Sequence, residues 1–384
     1  MEYRSSPIRV SGSDVGQSEL SAIASVFERG YLGMGADVQE FEGLLAGYFG
    51  RPVACVATGT AALQLAVQCC GIGPGDEVLV PSLTYVAAFQ AISATGATPV
   101  PVDVLQDSLT IDPDDACRRL SARTKAVMPV YYGGGIRELD RVYSLAEEHG
   151  LRVIEDAAHA FGTVFGGKRV GSTGDVACFS FDPIKNLTSG EGGCVVSDDA
   201  EFMERVRDAR LLGVKGDSKA RNSERRLYEF EVDSQGWRYH MSNINAAIGK
   251  AQFEVFPMRA AMRQQLAQKY NEILGSSSSI QILPYSYDDV VPHIYVVRFA
   301  SSAVRDQVKA RLLSELNVET ALHWYPNHYL ARYRLPAEAL PVTEDAFSRM
   351  LTLPLHTKLS VEQVTQIAQF VSVAAESQEV PLDD

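Results

Sequence analysis

Three short stretches of this sequence carry residue types that can do chemistry. The first is Phe179-Ser180-Phe181-Asp182-Pro183-Ile184-Lys185-Asn186, running into the glycine-rich turn Thr188-Ser-Gly190-Glu-Gly-Gly193. Lys185 lies between an apolar, strand-like run and that turn. A lysine held in a closed cleft loses its proton and attacks a carbonyl carbon, forming a Schiff base. Most lysines are merely exposed, but the apolar, sterically specified flanks weaken that reading here. The second stretch is Glu155-Asp156-Ala157-Ala158-His159, directly after the strand-like residues 151–154. In open parallel sheets ligands bind outside the carboxyl ends of the strands, so an acid at that point is placed for ligand contact. A helix cap or a surface carboxylate is the ordinary alternative. The third is Ala57-Thr58-Gly59-Thr60-Ala61-Ala62-Leu63, at a strand-to-helix junction. Gly59 permits close backbone approach, and the amides opening the helix, with the Thr60 hydroxyl, make an anion site. The Gly-Lys-Ser/Thr ending of a Walker loop is missing, and so is the dinucleotide fingerprint Gly-x-Gly-x-x-Gly. A simple capped helix start is the alternative.

Together the three stretches specify more than each does alone. A phosphate cradle, an acid at a strand end and a lysine on a later strand are the protein parts that pyridoxal phosphate requires. The lysine holds the aldehyde, and the acid pairs with the pyridinium nitrogen and keeps it protonated, so that the ring acts as an electron sink. Tyr85, in Pro81-Ser82-Leu83-Thr84-Tyr85, is placed to cover one ring face and His159 the other. Stacking of this kind fixes a ring plane. The alternatives are a core aromatic and a structural histidine.

The elements that must position these residues follow from the periodicity. Between residues 53 and 157 strand-like and helix-like segments alternate: strands at 53–57, 77–81, 98–104, 125–132 and 151–157, helices at 60–70, 85–95, 112–122 and 136–149. Such alternation predicts an α/β fold with a mostly parallel central sheet and helices on both faces. The stretches 52–75 and 78–102 carry no charge and are broken by Gly, Pro, Ser and Thr, which suits buried strands and helices rather than membrane spans. Further strands are expected at 178–181 and 193–197, an amphipathic helix at 200–212, helix at 242–254 and a long helix on to about 274. Residues 275–279 read as a surface break. A strand at 294–299 and helices at 303–316 and 361–376 follow. The expected organisation is a large domain over 1–255, whose N-terminal segment has the option of packing on the other domain, and a smaller C-terminal α+β domain over 256–384. The boundary is expected within the helix after Phe256, and the tail 380–384 is expected to fray.

Composition bounds the function. The chain has 384 residues, 46% hydrophobic and 22% charged, an ordinary globular balance. Its formal net charge of −13 argues against gripping nucleic acid through phosphates. Within this acidic chain residues 214–228 are locally basic, with Lys215, Lys219, Arg221, Arg225 and Arg226 against Asp217 and Glu224. The six cysteines form no Cys-x-x-Cys pair and no zinc-finger spacing, so they read as buried thiols in a reducing compartment. The N-terminus lacks a basic-then-apolar leader. A cytoplasmic, enzyme-sized protein without metal, membrane or nucleic-acid partner is expected.

The motif order resembles the DegT/DnrJ/StrS family of fold-type-I pyridoxal-phosphate enzymes: Gly59-Thr60-Ala-Ala-Leu, Pro81-Ser-Leu-Thr-Tyr85, Glu155-Asp156-Ala-Ala-His159-Ala-Phe-Gly162, Ser180-Phe…Lys185-Asn…Gly190-Glu-Gly-Gly193 and Tyr239-His-Met-Ser-Asn-Ile-Asn-Ala-Ala-Ile248. His323-Trp-Tyr-Pro326 and Leu353-Pro-Leu-His356 extend it toward the C-terminus. The resemblance implies that Lys185 is the cofactor-linked lysine and proton shuttle and that Asp156 partners the pyridinium nitrogen. It implies that Thr60, the Gly59 and Ala61 amides and Ser180 hold the phosphate, and that Tyr85 and His159 flank the ring. In this family a second subunit completes the phosphate site. The matching segment is Gly236-Trp237-Arg238-Tyr239-His240, where Arg238 stands in place of the Asn of many members and serves as a cationic donor. Asp182 replaces the His common after Ser-Phe.

The implied activity is a ping-pong transamination, in a homodimer, from L-glutamate to a nucleotide-linked keto-sugar. The Gly190-Glu-Gly-Gly193 turn resembles members acting at C4 of a 4-keto-6-deoxy sugar, and C3 is the alternative. The basic stretch 215–226 is a candidate contact for a nucleotide diphosphate, with a solvated loop as the alternative. Lys185 speaks against a sugar dehydratase of the same fold, in which histidine replaces the lysine. An aminotransferase for a cyclitol or aromatic precursor and a non-catalytic cofactor-binding regulator complete the set of readings.

Overall fold

The computed structural model describes residues 6–217 and 229–376. In chain order the elements are α1 (Gln17–Arg29), α2 (Ala36–Phe49), β1 (Val53–Val56), α3 (Gly59–Cys69), β2 (Glu77–Pro81), α4 (Ala87–Ala94), β3 (Thr98–Val102), α5 (Pro113–Arg118), β4 (Thr124–Val127), α6 (Leu139–His149), β5 (Arg152–Asp156), the hairpin β6 (Val164–Phe165) and β7 (Lys168–Arg169), β8 (Val176–Ser180), β9 (Gly193–Val196) and α7 (Ala200–Ala209). There follow α8 (Asn243–Leu274), β10 (Ile280–Ile282), β11 (Tyr295–Phe299), α9 (Ser302–Leu316), α10 (Pro341–Arg349), β12 (Met350–Leu353) and α11 (Val361–Glu376).

The main sheet has the order β1-β9-β8-β5-β4-β2-β3. Every pairing from β8 to β3 is parallel, and only β9 runs against its neighbours. Strands β1, β8 and β9 are buried along their whole length, as a sheet covered on both faces requires. The uncharged composition of 52–75 has the same cause. Helix α3 is buried on nearly all sides, between the sheet and α4 and α7. The predicted mostly parallel α/β sheet is therefore the one observed.

A second, antiparallel sheet, β10-β11-β12, is covered by α8, α9 and α11. The two predicted helices after residue 242 are a single helix, α8, which continues across Pro257. Ala246, Phe256 and Ala260 sit in the core of the main sheet. Further along, Leu266, Ala267, Tyr270 and Leu274 sit in the core of the small one. One rigid rod thus spans both cores. Ahead of them, Ile8 bridges Val318, and Val10 accepts a hydrogen bond from the Leu355 amide, fastening the chain start beside the small sheet.

Several boundaries differ from the sequence reading. Helix α5 ends at Arg118, and β4 ends at Val127 because the chain then turns into the short 3-10 segment Tyr132–Gly134. Helices α1, α2 and α10 were not foreseen. The cysteines form no disulfide. Cys55, Cys69, Cys178 and Cys194 are buried, but Cys70 is half-buried and Cys117 exposed, correcting the expectation of uniformly buried thiols. Among the described residues no cluster of metal-ligating side chains occurs, and no helix is long and apolar enough to cross a membrane.

Candidate active site

The carboxyl ends of the parallel strands open onto a cavity of about 390 Å³. Thr58 follows β1 in extended conformation and caps α3, its Oγ1 accepting the Ala61 amide at 3.0 Å. Gly59 and Thr60 line the cavity at this helix N-terminus, where backbone amides lack acceptors within the helix. Ser180, the last residue of β8, stands against them. A Cβ at Gly59 would come within 2.7 Å of the Ser180 Cβ, so the approach of the two segments demands glycine. The Ala61 amide, expected to donate to a phosphate, here meets Thr58 Oγ1, and Ala61 is not among the residues lining the cavity.

Lys185 enters the same cavity on a braced turn. Asp182 accepts the Ile184 amide through Oδ1 and the Lys185 amide through its carbonyl, each at 3.1 Å. Next to the lysine, the buried Asn186 donates to the Val291 carbonyl at 3.0 Å. Burial pulls the Lys185 ammonium down to about 8, against the opposing charges of Asp182 and Asp156, with Arg263 adding to the fall. Asp156 ends β5 and is buried. Burial pushes its carboxyl up, offset by the Ala158 amide at 3.1 Å and by Lys185.

Around the lysine stand imidazoles, of which only His159 had been assigned a role. His159 and His293 are both buried, with ring centroids 4.3 Å apart. Lys185 Nζ lies 3.5 Å from His293 Nε2. Burial first, and the lysine's charge second, hold both rings well below the ordinary histidine range. Burial likewise brings His323 down to about 4, while its Nδ1 meets Thr352 Oγ1 at 3.0 Å. Tyr85 is exposed at the mouth. Its ring lies 5.0 Å from that of Trp324, which is in turn 5.9 Å from His159. The indole therefore sits near both rings expected to flank the cofactor.

The structure thus gathers Gly59, Thr60, Tyr85, Asp156, His159, Ser180 and Lys185 about one cavity and adds His323 and Trp324. Those two stood in a quoted motif without a role. His293 was missed; its only sequence signal is a histidine directly ahead of the strand expected at 294–299. Arg238 is not brought to this cavity within the chain. It is exposed, bridging Leu211 outside the pocket. Of the basic stretch, Lys215 pairs with Asp233, and residues 218–228 lie outside the described residues.

The donor set suits a phosphorylated pyridine aldehyde. A helix N-terminus, a serine hydroxyl, a buried carboxylate and a buried lysine line one cavity, and the Nδ1 atoms of His159 and His293 have no hydrogen-bond partner among the described residues. Fold and site together define a fold-type-I, pyridoxal-phosphate-dependent aminotransferase.

Comparison with known proteins agrees. The pattern of the DegT/DnrJ/EryC1/StrS aminotransferase family matches residues 13–372. The spore coat polysaccharide biosynthesis protein SpsC of Bacillus subtilis is 33% identical over 367 residues, covering 93% of this chain and 94% of that one. The aminotransferase TlmJ of Streptoalloteichus hindustanus superposes with a TM-score of 0.87 at 33% identity, covering 96% of this chain and 98% of its own. A Streptococcus pneumoniae protein assigned as a sugar aminotransferase, solved in its PLP form, superposes with a TM-score of 0.89 at 27% identity, covering 96% and 99%. The chain belongs to the DegT/DnrJ/EryC1/StrS aminotransferase family.

Proposed function

We propose that this enzyme moves the amino group of L-glutamate onto a nucleotide-linked keto-sugar, at C4 of a 4-keto-6-deoxy sugar, working as a cytoplasmic homodimer. The observation that carries the transaminase chemistry is the convergence of Lys185 and Asp156 on the cavity opened by the α3 N-terminus. The sugar acceptor is supported by relatives. SpsC serves polysaccharide biosynthesis, and DesI, 29% identical, was solved in the presence of its TDP-sugar product. The Gly190-Glu-Gly-Gly193 turn favours C4.

Pyridoxal phosphate, when bound, supplies a carbonyl that carries the amino group and a ring that accepts the electron pair left by a departing proton. The Gly59 and Thr60 amides and the Ser180 hydroxyl hold its phosphate. Tyr85 and His159 fix the plane of its ring. The Asp156 carboxylate keeps a proton on the ring nitrogen. The Lys185 amine, whose proton burial loosens to about 8, takes in its neutral form the proton from the donor's α-carbon. In the return half-reaction the same amine moves a proton in the reverse sense, onto the sugar carbon. Arg238 of a second subunit completes the phosphate site.

The test is a coupled assay with glutamate and a panel of nucleotide-linked 3- and 4-keto sugars together with a cyclitol ketone, with mass spectrometry of the product. A 4-amino sugar is the expected product. A 3-amino product moves the acceptor carbon, and turnover only with a cyclitol ketone removes the nucleotide sugar. A cofactor absorbance that glutamate does not change would leave a binding protein without turnover.

A further inference from the structure

We propose that His293 is a positioning residue for Lys185, its neutral imidazole accepting a hydrogen bond from the lysine and aiming the amine while it carries a proton. The inference rests on the reading that Lys185 is the cofactor-linked lysine, and nothing in that reading requires a histidine at this place.

The argument starts from the geometry. Lys185 Nζ and His293 Nε2 are 3.5 Å apart, and among the described residues no other hydrogen-bond partner of the lysine amine stands as near. The distance is braced from several sides. The His293 amide donates to the Gly133 carbonyl at 2.9 Å, and its carbonyl accepts from Arg263 Nη1 at 3.3 Å. Asn186, the neighbour of Lys185, donates to the Val291 carbonyl at 3.0 Å, tying the lysine turn to the histidine segment. Val291 is held in turn by Thr163 Oγ1, which accepts its amide at 3.1 Å. The backbone segments that carry the two side chains are therefore fixed relative to one another.

The surroundings decide the charge state. The groups facing His293 are Lys185 from its turn, His159 after β5, Arg263 from α8 and His323 from the segment before β12. None of them is acidic; Asp156 and Asp182 act on the lysine instead. A protonated ring here would be a buried cation 3.5 Å from an amine that must itself hold a proton during the reaction. A neutral ring is the state that helps. It offers a lone pair to the N–H of the proton-loaded lysine, and it holds the amine in place where a solvated lysine would swing.

The test uses holoenzyme carrying His293→Leu and His293→Gln. The wild-type control, borohydride trapping of the cofactor on Lys185, examines the reading beneath the proposal separately. The readouts are the single-turnover rate with glutamate and the pH limb of the pyridoxamine form reacting with 2-oxoglutarate, where Lys185 is free. His293→Leu should retain bound, trappable cofactor, slow the single turnover about 10- to 100-fold, and move the limb downward by about half a unit or more, because an acceptor for the charged amine is lost. His293→Gln, whose carboxamide oxygen is again an acceptor, should recover most of the rate. A leucine variant with wild-type rate and limb overturns the proposal, as does a glutamine variant no better than leucine. If neither variant folds, imidazole ¹⁵N shifts of wild-type holoenzyme decide. A His293 ring that stays neutral from about pH 6 to 9 supports the proposal, and one that takes up a proton in that range overturns it.

Discussion

Lys185 and Asp156 meet the same physical pressure with opposite results. Burial disfavours charge on both, so the ammonium is weakened and the carboxyl strengthened as a proton holder. For the lysine the sign is direct: the neutral amine accumulates as pH rises through about 8. In the half-reaction of the pyridoxamine form, where the free amine acts as base, the rate should climb with pH through that value and level off above it. Stopped-flow absorbance across pH 6 to 10 reads the limb, and a rate that falls over this range contradicts the assignment. Asp156→Asn keeps the shape but cannot hold a proton on a ring nitrogen. It should bind the cofactor within a few-fold of wild type and lose about 10²–10⁴ in single-turnover rate. Equal losses in affinity and rate would instead make Asp156 a mere anchor.

At the scale of elements, the site depends on how closely β8 can approach the start of α3. Gly59 is the contact point, because any side chain there meets the Ser180 Cβ at 2.7 Å and its Cα at 3.2 Å. A backbone atom cannot step aside. Gly59→Ala should therefore cost about 1–3 kcal/mol of stability by overpacking and weaken cofactor binding by opening the phosphate cradle. Urea denaturation of the apoprotein and cofactor titration measure the two effects; an alanine variant unchanged in both would refute the close approach. Helix α2 shows what element-level reading missed. Val38, Phe41, Leu45 and Phe49 recur at helical spacing and fill the core beside β1. That stripe was present in the sequence ahead of the first strand considered. The continuity of α8 is a different matter. Two helices were expected over this stretch, yet packing against two cores carries one helix through Pro257.

For the whole molecule the open question is the one exposed cation of the expected phosphate site. Arg238 lies outside the cavity of its own chain, so its predicted role requires a partner subunit. Complementation tests this directly. Homodimers of Lys185→Ala and of Arg238→Ala are each expected to have strongly reduced activity. Unfolding and refolding the two together should give mixed dimers with one intact site, built from Lys185 of one chain and Arg238 of the other. Recovered activity near a quarter of the wild-type value is expected from random pairing. No recovery would place both side chains in one chain's site, or Arg238 in none.

What could be read from the sequence was whatever depends on local order. The alternation of strands and helices, the uncharged runs that become buried strands and α3, and the lysine, acid and glycine turn at strand ends all follow from periodicity and residue type. They sufficed to name Lys185, Asp156, Gly59 and Thr60, while Ser180 was named through the family resemblance. What only the tertiary structure decided depends on contacts between distant segments. His293 faces Lys185 from 108 residues away, and Trp324 lies near both Tyr85 and His159. Spacing along a chain reports which face a residue shares with its neighbours. It carries no record of which loop from the small sheet will close over that face, because that is settled by packing, where burial and hydrogen bonding are satisfied together.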